Sequence, residues 1–144
     1  MGQGPEQAEI DPPRLTYRRK DRLTHAKEFE AVYTARARKS RGPLIIHTRP
    51  NQLAHHRLGL SVGRPVGNAV RRNRIKRQLR EAFRLTKADL SRAASPGGYD
   101  IIIGVKKHDP LPMAEYQRLL QELVSECDRL WKKRIDRSSG ATHD

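Results

Sequence analysis

The sequence predicts a single domain in which three helices pack on a small β-sheet. Three observations predict it. Residues 69–87 set apolar and basic side chains on opposite sides of a helical repeat. Residues 99–107, YDIIIGVKK, form a near-continuous apolar run of strand length, as expected of a strand buried on both faces. Tyr116, Leu119, Leu120, Leu123, Val124, Cys127, Leu130 and Trp131 make a regular apolar stripe on a third helix. A chain of 144 residues with 35% hydrophobic content builds one modest core.

The elements follow in chain order. Residues 1–13 are rich in Gly, Gln, Pro and acids and read as a disordered tail; residues 135–144 read as a second one, leaving 14–134 as the domain. In LTHAKEFEAVYTAR (23–36), Thr24 is the expected cap, and Ala26, Phe29, Val32 and Tyr33 follow at helical spacing. Phe29 and Tyr33 are one turn apart and share a face, which by itself reads as core. GPLIIHTRP (42–50) is a strand with Leu44, Ile46 and Thr48 on one side and Ile45, His47 and Arg49 on the other. HRLGLSVGR (56–64) is the next strand, with Leu58, Leu60 and Val62 inward and Arg57, Gly59 and Ser61 opposite. A hairpin between these two strands is the simplest expectation. RPVG (64–67) ends the second strand, and Asn68 caps a helix over 69–87. SPGG (95–98) stops the chain before the apolar strand. Strand, helix, strand is a βαβ unit, so 57–63 and 99–105 should pair in parallel. DPLP (109–112) opens the last helix, whose acids lie opposite its apolar stripe; it belongs to the core.

The formal net charge is +14, and the positive charge is concentrated between residues 14 and 92, where the acids are only Asp21, Glu28, Glu30, Glu81 and Asp89. Such a surplus repels itself, so an anionic partner is expected. Arg outnumbers Lys there, and its planar fork suits phosphates and base edges, which favours nucleic acid over an acidic membrane surface. No run approaches the ~18 apolar residues of a membrane span, and the N-terminus lacks the apolar stretch of a signal peptide. Cys127 is the only cysteine, so neither an intramolecular disulfide nor a Cys-based zinc site is open to the chain. A reducing, cytoplasmic setting is expected.

On a wheel of about 100° per residue, Ile75, Leu79, Ala82 and Phe83 occupy one side of 69–87. Lys76, Arg77, Arg80, Arg84 and Lys87 occupy the other. Neighbours in these basic rows lie roughly 5–6 Å apart, near the phosphate spacing of a nucleic acid strand. Like charges so placed weaken an isolated helix. A bound polyanion relieves that cost, and counterion release drives its association. A merely solvated face would mix signs, whereas Glu81 is the single acid between 67 and 88.

The stretch RRNRIKRQLREAF resembles the Arg-Asn-Arg signature of the bacterial ribonuclease P protein family, of the form R-N-x-x-K-R-x-x-R, in Arg72, Asn73, Lys76, Arg77 and Arg80. RLTHAKEFEAVY, RLGLSVGRPVGNAV and YDIIIGVKK agree with it, and the likeness covers roughly residues 14–130. The resemblance implies an α+β fold, an α/β sandwich with a four-stranded, mainly antiparallel sheet, three helices and a left-handed βαβ crossover, against the usual right-handed rule. It implies a protein subunit, one copy per catalytic RNA, that helps remove the 5′ leader of precursor tRNA. Arg71, Arg72, Asn73, Arg74, Lys76, Arg77, Arg80 and Arg84 would meet the catalytic RNA. Phe29, Tyr33, His47, Ser61 and Arg64 would line a cleft for the single-stranded leader, where aromatic stacking beside cations is the common mode. His47 stands where a tyrosine is familiar, and Arg64-Pro65 where two basic residues are common.

A nuclease acting alone would need metal-binding carboxylates or a His acid–base pair. The sparse acids of 14–92 form no recognisable metal cluster, and the six His show no metal-site spacing. The expectation is therefore no catalytic residue and no metal site in the protein, with Mg²⁺ held mainly by the RNA. The alternatives are a ribosomal-type RNA-binding protein without a processing role, a helix-turn-helix DNA binder and a self-sufficient metal nuclease. The basic helix is flanked by strands, which disfavours the second.

Overall fold

A computed structural model describes residues 19–91 and 97–143. The expected tail over 1–13 and the Ser95-Pro96 half of the expected stop lie outside them. Helix α1 is Ala26–Thr34; strands β1, Ala37–Arg41, and β2, Leu44–Pro50, follow; then come β3, Arg57–Ser61, helix α2, Ala69–Thr86, strand β4, Tyr99–Val105, and helix α3, Met113–His143. Short 3₁₀ turns at Arg19–Asp21, Arg64–Val66 and Lys87–Asp89 join them.

The sheet runs β1-β2-β4-β3. β1 and β2 pair antiparallel, β2 and β4 antiparallel, and β3 and β4 parallel. The expected α+β fold, four strands with three helices, stands, and so does the parallel βαβ pairing. The expected hairpin between 42–50 and 56–64 does not form. β4 lies between those strands, because Ile101, Ile102 and Ile103 are all fully buried and a strand covered on both faces belongs inside the sheet. β2 instead turns back on β1, a strand whose sequence, ARKSR, buries only Ala37.

One sheet face carries Leu44, Ile46, Leu58, Ile101 and Ile103 against Ile75, Leu79 and Phe83 of α2 and Tyr116, Leu120 and Val124 of α3. Each such fully buried side chain contributes about 1.5–3 kcal/mol relative to exposure. The other face carries Ile102 beneath Val32 of α1, with Leu23 and Phe29 alongside. α1 is therefore one outer layer and the α2–α3 pair the other.

Caps and turns follow local chemistry. Asn68 accepts a hydrogen bond from the Arg71 amide, as expected of an N-cap. Gly67 precedes it at φ 150°, and a Cβ there would come within 2.6 Å of the Arg71 side chain. α1 starts one residue later than expected: His25, not Thr24, is its N-cap, and Glu28 accepts from the Thr24 and His25 amides. α3 runs through residues 135–143, where an irregular tail was expected. No proline interrupts it, and Arg134 anchors that end of the helix by donating to the carbonyls of Ala35 and Arg36.

Candidate nucleic-acid interface

The apolar side of α2 begins at Ile75 and seats the helix on the core. The opposite side consequently faces outward. Asn73, Arg74, Arg77 and Arg80 are exposed and Lys76 is half-buried. Among the described residues, none of these five side chains takes part in a hydrogen bond or ion pair. The flanking cations differ. Arg71 donates to the His108 carbonyl at 2.6 Å and lies 3.8 Å from Asp109. Arg72 donates through Nε to the Gly67 carbonyl. Arg84 forms an ion pair with Glu81, which holds that carboxyl below its ordinary range, chiefly through the Arg84 hydrogen bond. The expected basic row thus divides into a central unengaged strip and ends that also brace the helix.

A cleft of ≈ 330 Å³ opens between α1 and the sheet. Tyr33, His47, Ser61, Pro65 and Val66 line it, with Ile45 and Gly104 in its floor. Tyr33 is 41% exposed and meets the His47 ring edge-on, with centroids 4.8 Å apart. That pair presents an aromatic corner of the kind that receives an unstacked base. Burial, with Arg38 nearby, depresses the His47 pKa below the ordinary imidazole value. The imidazole is therefore neutral at neutral pH, able both to accept and to donate a hydrogen bond.

Two of the sequence-predicted cleft residues sit differently. Phe29 does not line this cleft. It lies over β3, where its ring fills the space above Gly59; a Cβ on Gly59 would come within 2.6 Å of the ring. One turn of α1 carries the chain from β3 to β2, so Phe29 and Tyr33 share a helix face yet sit over different strands. Phe29 instead borders an adjoining groove with Lys76 and Arg80. Arg64 is exposed in the turn between Gly63 and Pro65, at the rim of the cleft and not in its wall.

Sequence reasoning missed Arg38, the register partner of His47 on β1 and exposed beside it. It also missed Arg57, which donates twice to Asp100 at 2.8 Å and once to Glu28 at 3.0 Å. These contacts tie the N-terminal turn of α1 to the sheet. The Glu28 carboxyl lies below its ordinary range: burial opposes the shift, and the His25 and Thr24 amides with Arg57 overcome it. The odd-numbered register of 57–61 places Arg57 opposite the apolar face; its bonds to Asp100 and Glu28, 43 and 29 positions away, have no local signal.

Among the described residues, no group of three or more His, Cys, Asp or Glu side chains is arranged to hold a metal ion. No described helix is long and apolar enough to cross a membrane.

Comparison with known proteins agrees with this arrangement. The family model for ribonuclease P matches residues 17–133. The ribonuclease P protein component of Ectopseudomonas mendocina is 37% identical over 117 residues, spanning 80% of this chain and 78% of its own. That of Desulfosudis oleivorans is 35% identical over 116 residues, spanning 80% and 92%. Among solved structures, the Staphylococcus aureus RNase P protein superposes with a TM-score of 0.60 at 28% identity, covering 73% of this chain and 93% of its own. The Thermotoga maritima protein does so with 0.61 at 26%, covering 75% and 96%. With a matching family model over most of its length, the same sheet and helices, and an exposed Arg-Asn-Arg helix, this chain belongs to the ribonuclease P protein family, the protein components of a tRNA-processing ribonucleoprotein.

Proposed function

We propose that this protein binds the catalytic RNA of ribonuclease P through the outer side of α2 and receives the 5′ leader of precursor tRNA in the Tyr33–His47 cleft. It does so as one copy per RNA, in the cytoplasm, and assists Mg²⁺-dependent hydrolysis that leaves the mature 5′ end. The observation that carries the reading is that one molecule holds an unengaged cationic strip, Arg74, Lys76, Arg77 and Arg80, and an aromatic cleft at Tyr33 and His47, while Lys76 and Arg80 of the strip border a groove with Phe29 of the same helix as Tyr33. The strip suits a ribose-phosphate backbone, and the cleft suits an unpaired base.

The protein's own part is binding and orientation. Cations on α2 lower the repulsion between two polyanions brought together. Tyr33 offers a ring face to a leader base, and Ser61 at the cleft wall offers a hydroxyl. Mg²⁺ would be held mainly by the RNA and would there supply the activated water. The chain contributes no acid, base or nucleophile to bond cleavage.

The test adds the protein to a bacterial ribonuclease P RNA at low Mg²⁺ and follows precursor tRNA cleavage. Cleavage should rise on addition, and the protein alone should leave the precursor intact. Absence of stimulation refutes the reading. Within the complex, Tyr33→Ala should weaken precursor binding by about 1–3 kcal/mol and leave mature tRNA binding unchanged. Equal losses for both would remove the leader from the cleft.

A further inference from the structure

α1 ends without a cation of its own: its last turn contains no Lys or Arg. Helix ends leave carbonyls without intrahelical partners, and positive charge is favoured there. Here the charge comes from the far end of the chain. Arg134 Nη1 donates to the Ala35 carbonyl at 2.6 Å and Nη2 to the Arg36 carbonyl at 2.8 Å. The guanidinium carbon lies 4.9 Å from the centre of the Trp131 ring, which orients the fork. The Trp131 Nε1–H in turn donates to Thr48 Oγ1 at 3.0 Å. Thr48 is fully buried and adjacent to His47, and Ala35 is two residues beyond Tyr33. A single turn of α3 thereby grips both supports of the aromatic corner, the strand behind His47 and the helix end behind Tyr33. The backbone at this junction is itself unusual, since Arg36 adopts φ 55°, a left-handed conformation that a non-glycine residue holds only when neighbours fix it.

We infer that Arg134, oriented by Trp131, is a positioning residue for leader recognition: it caps α1 from another element and sets the separation of Tyr33 from His47. The inference rests on the leader-cleft reading above and adds to it a role for the C-terminal helix. Arg134 touches no RNA in this scheme. Its effect reaches the leader only through Tyr33.

The test uses the complete protein assembled with a bacterial ribonuclease P RNA. Dissociation constants are measured for a leader-bearing precursor tRNA and for mature tRNA. Arg134→Ala should weaken precursor binding about threefold to tenfold, with mature tRNA binding and affinity for the catalytic RNA unchanged. Arg134→Lys, which can reach one carbonyl, should recover part of the loss. Trp131→Phe keeps the packing but removes the indole N–H, and should weaken precursor binding in the same selective way if Arg134→Ala does not fold. Combining Arg134→Ala with Tyr33→Ala should be no worse than Tyr33→Ala alone. The inference is overturned if Tyr33→Ala is leader-selective while the Arg134 and Trp131 variants weaken both RNAs equally or neither. If Tyr33→Ala itself shows no leader selectivity, the cleft reading fails first, and the inference with it.

Discussion

Helices α2 and α3 pack side by side on one sheet face, and both are amphipathic, yet their outer sides are built differently. On α3 the charges neutralise one another locally. Arg118 pairs with Glu115 and Glu122, Arg41 reaches across from β1 to Glu122 and Glu126, and Lys132 pairs with Asp128. On α2 pairing is confined to the ends, Arg71 with Asp109 and Arg84 with Glu81, and the middle of the helix presents cations alone. On the function proposed above, a polyanion-binding helix is marked not by its count of charges but by the absence of counter-charges within reach. Exposed ion pairs such as those on α3 contribute little to stability, but they cancel the field that would otherwise attract RNA.

The apolar sides should be equivalent, and this is where the comparison can be broken most severely. Leu79→Ala on α2 and Leu120→Ala on α3 both remove fully buried side chains, and each should cost about 2–5 kcal/mol. Denaturant unfolding measures both. A loss well under ~1 kcal/mol at either site would mean that the helix concerned is not part of the core.

The outer sides should then separate. Arg77→Ala or Arg80→Ala should weaken binding to the catalytic RNA by about 1 kcal/mol, roughly fivefold. Each should also reduce the slope of log affinity against log salt by about 0.7–0.9. Arg118→Ala on α3 should change neither quantity. If it lowers the slope as much as Arg77→Ala does, the pairing argument is wrong and α3 also faces RNA.

The smallest effect concerns the cleft, away from both outer sides. His47 has a depressed pKa in the folded protein, through burial and then Arg38. The folded state therefore binds fewer protons than the unfolded state near the ordinary imidazole value of about 6.5. Its stabilising contribution is complete above that pH and is lost as pH falls through the folded-state pKa. His47→Gln should flatten the stability profile on the acid side. A profile identical to that of the parent protein would show that His47 is not the titrating group.

Much of this was legible in the chain itself. The period of Ile75, Leu79, Ala82 and Phe83 located α2 and oriented it, because a helix with one apolar side has one way to sit. The alternation in 44–48 and 58–62 assigned each side chain to its correct face. The partnership of strands was harder. β1 buries a single residue of five and exists through pairing with β2, a tertiary gain that local sequence does not encode. Without β1 in view, the nearest apolar strand became the supposed hairpin partner of β2. The apolar run in β4 was sufficient to argue for a central position, and that argument outranks proximity in sequence. The cleft was legible only in part. Helical spacing joined Phe29 to Tyr33, but the strands beneath them are set by sheet order, which separates their environments. The bond from Arg134 to Ala35 spans 99 positions and had no local signature at all.

β1 has a further consequence as the outermost strand. An open sheet border offers amide and carbonyl groups to any chain able to extend it, the route by which sheets fuse and aggregate. This border displays Arg38 and Lys39, while the Arg41 at its end is engaged by Glu122 and Glu126 of α3. A second copy approaching in the same way would bring its own guanidinium and ammonium groups against them. The same kind of charge that the proposed RNA contact uses thus works against edge-to-edge pairing of two copies at this border.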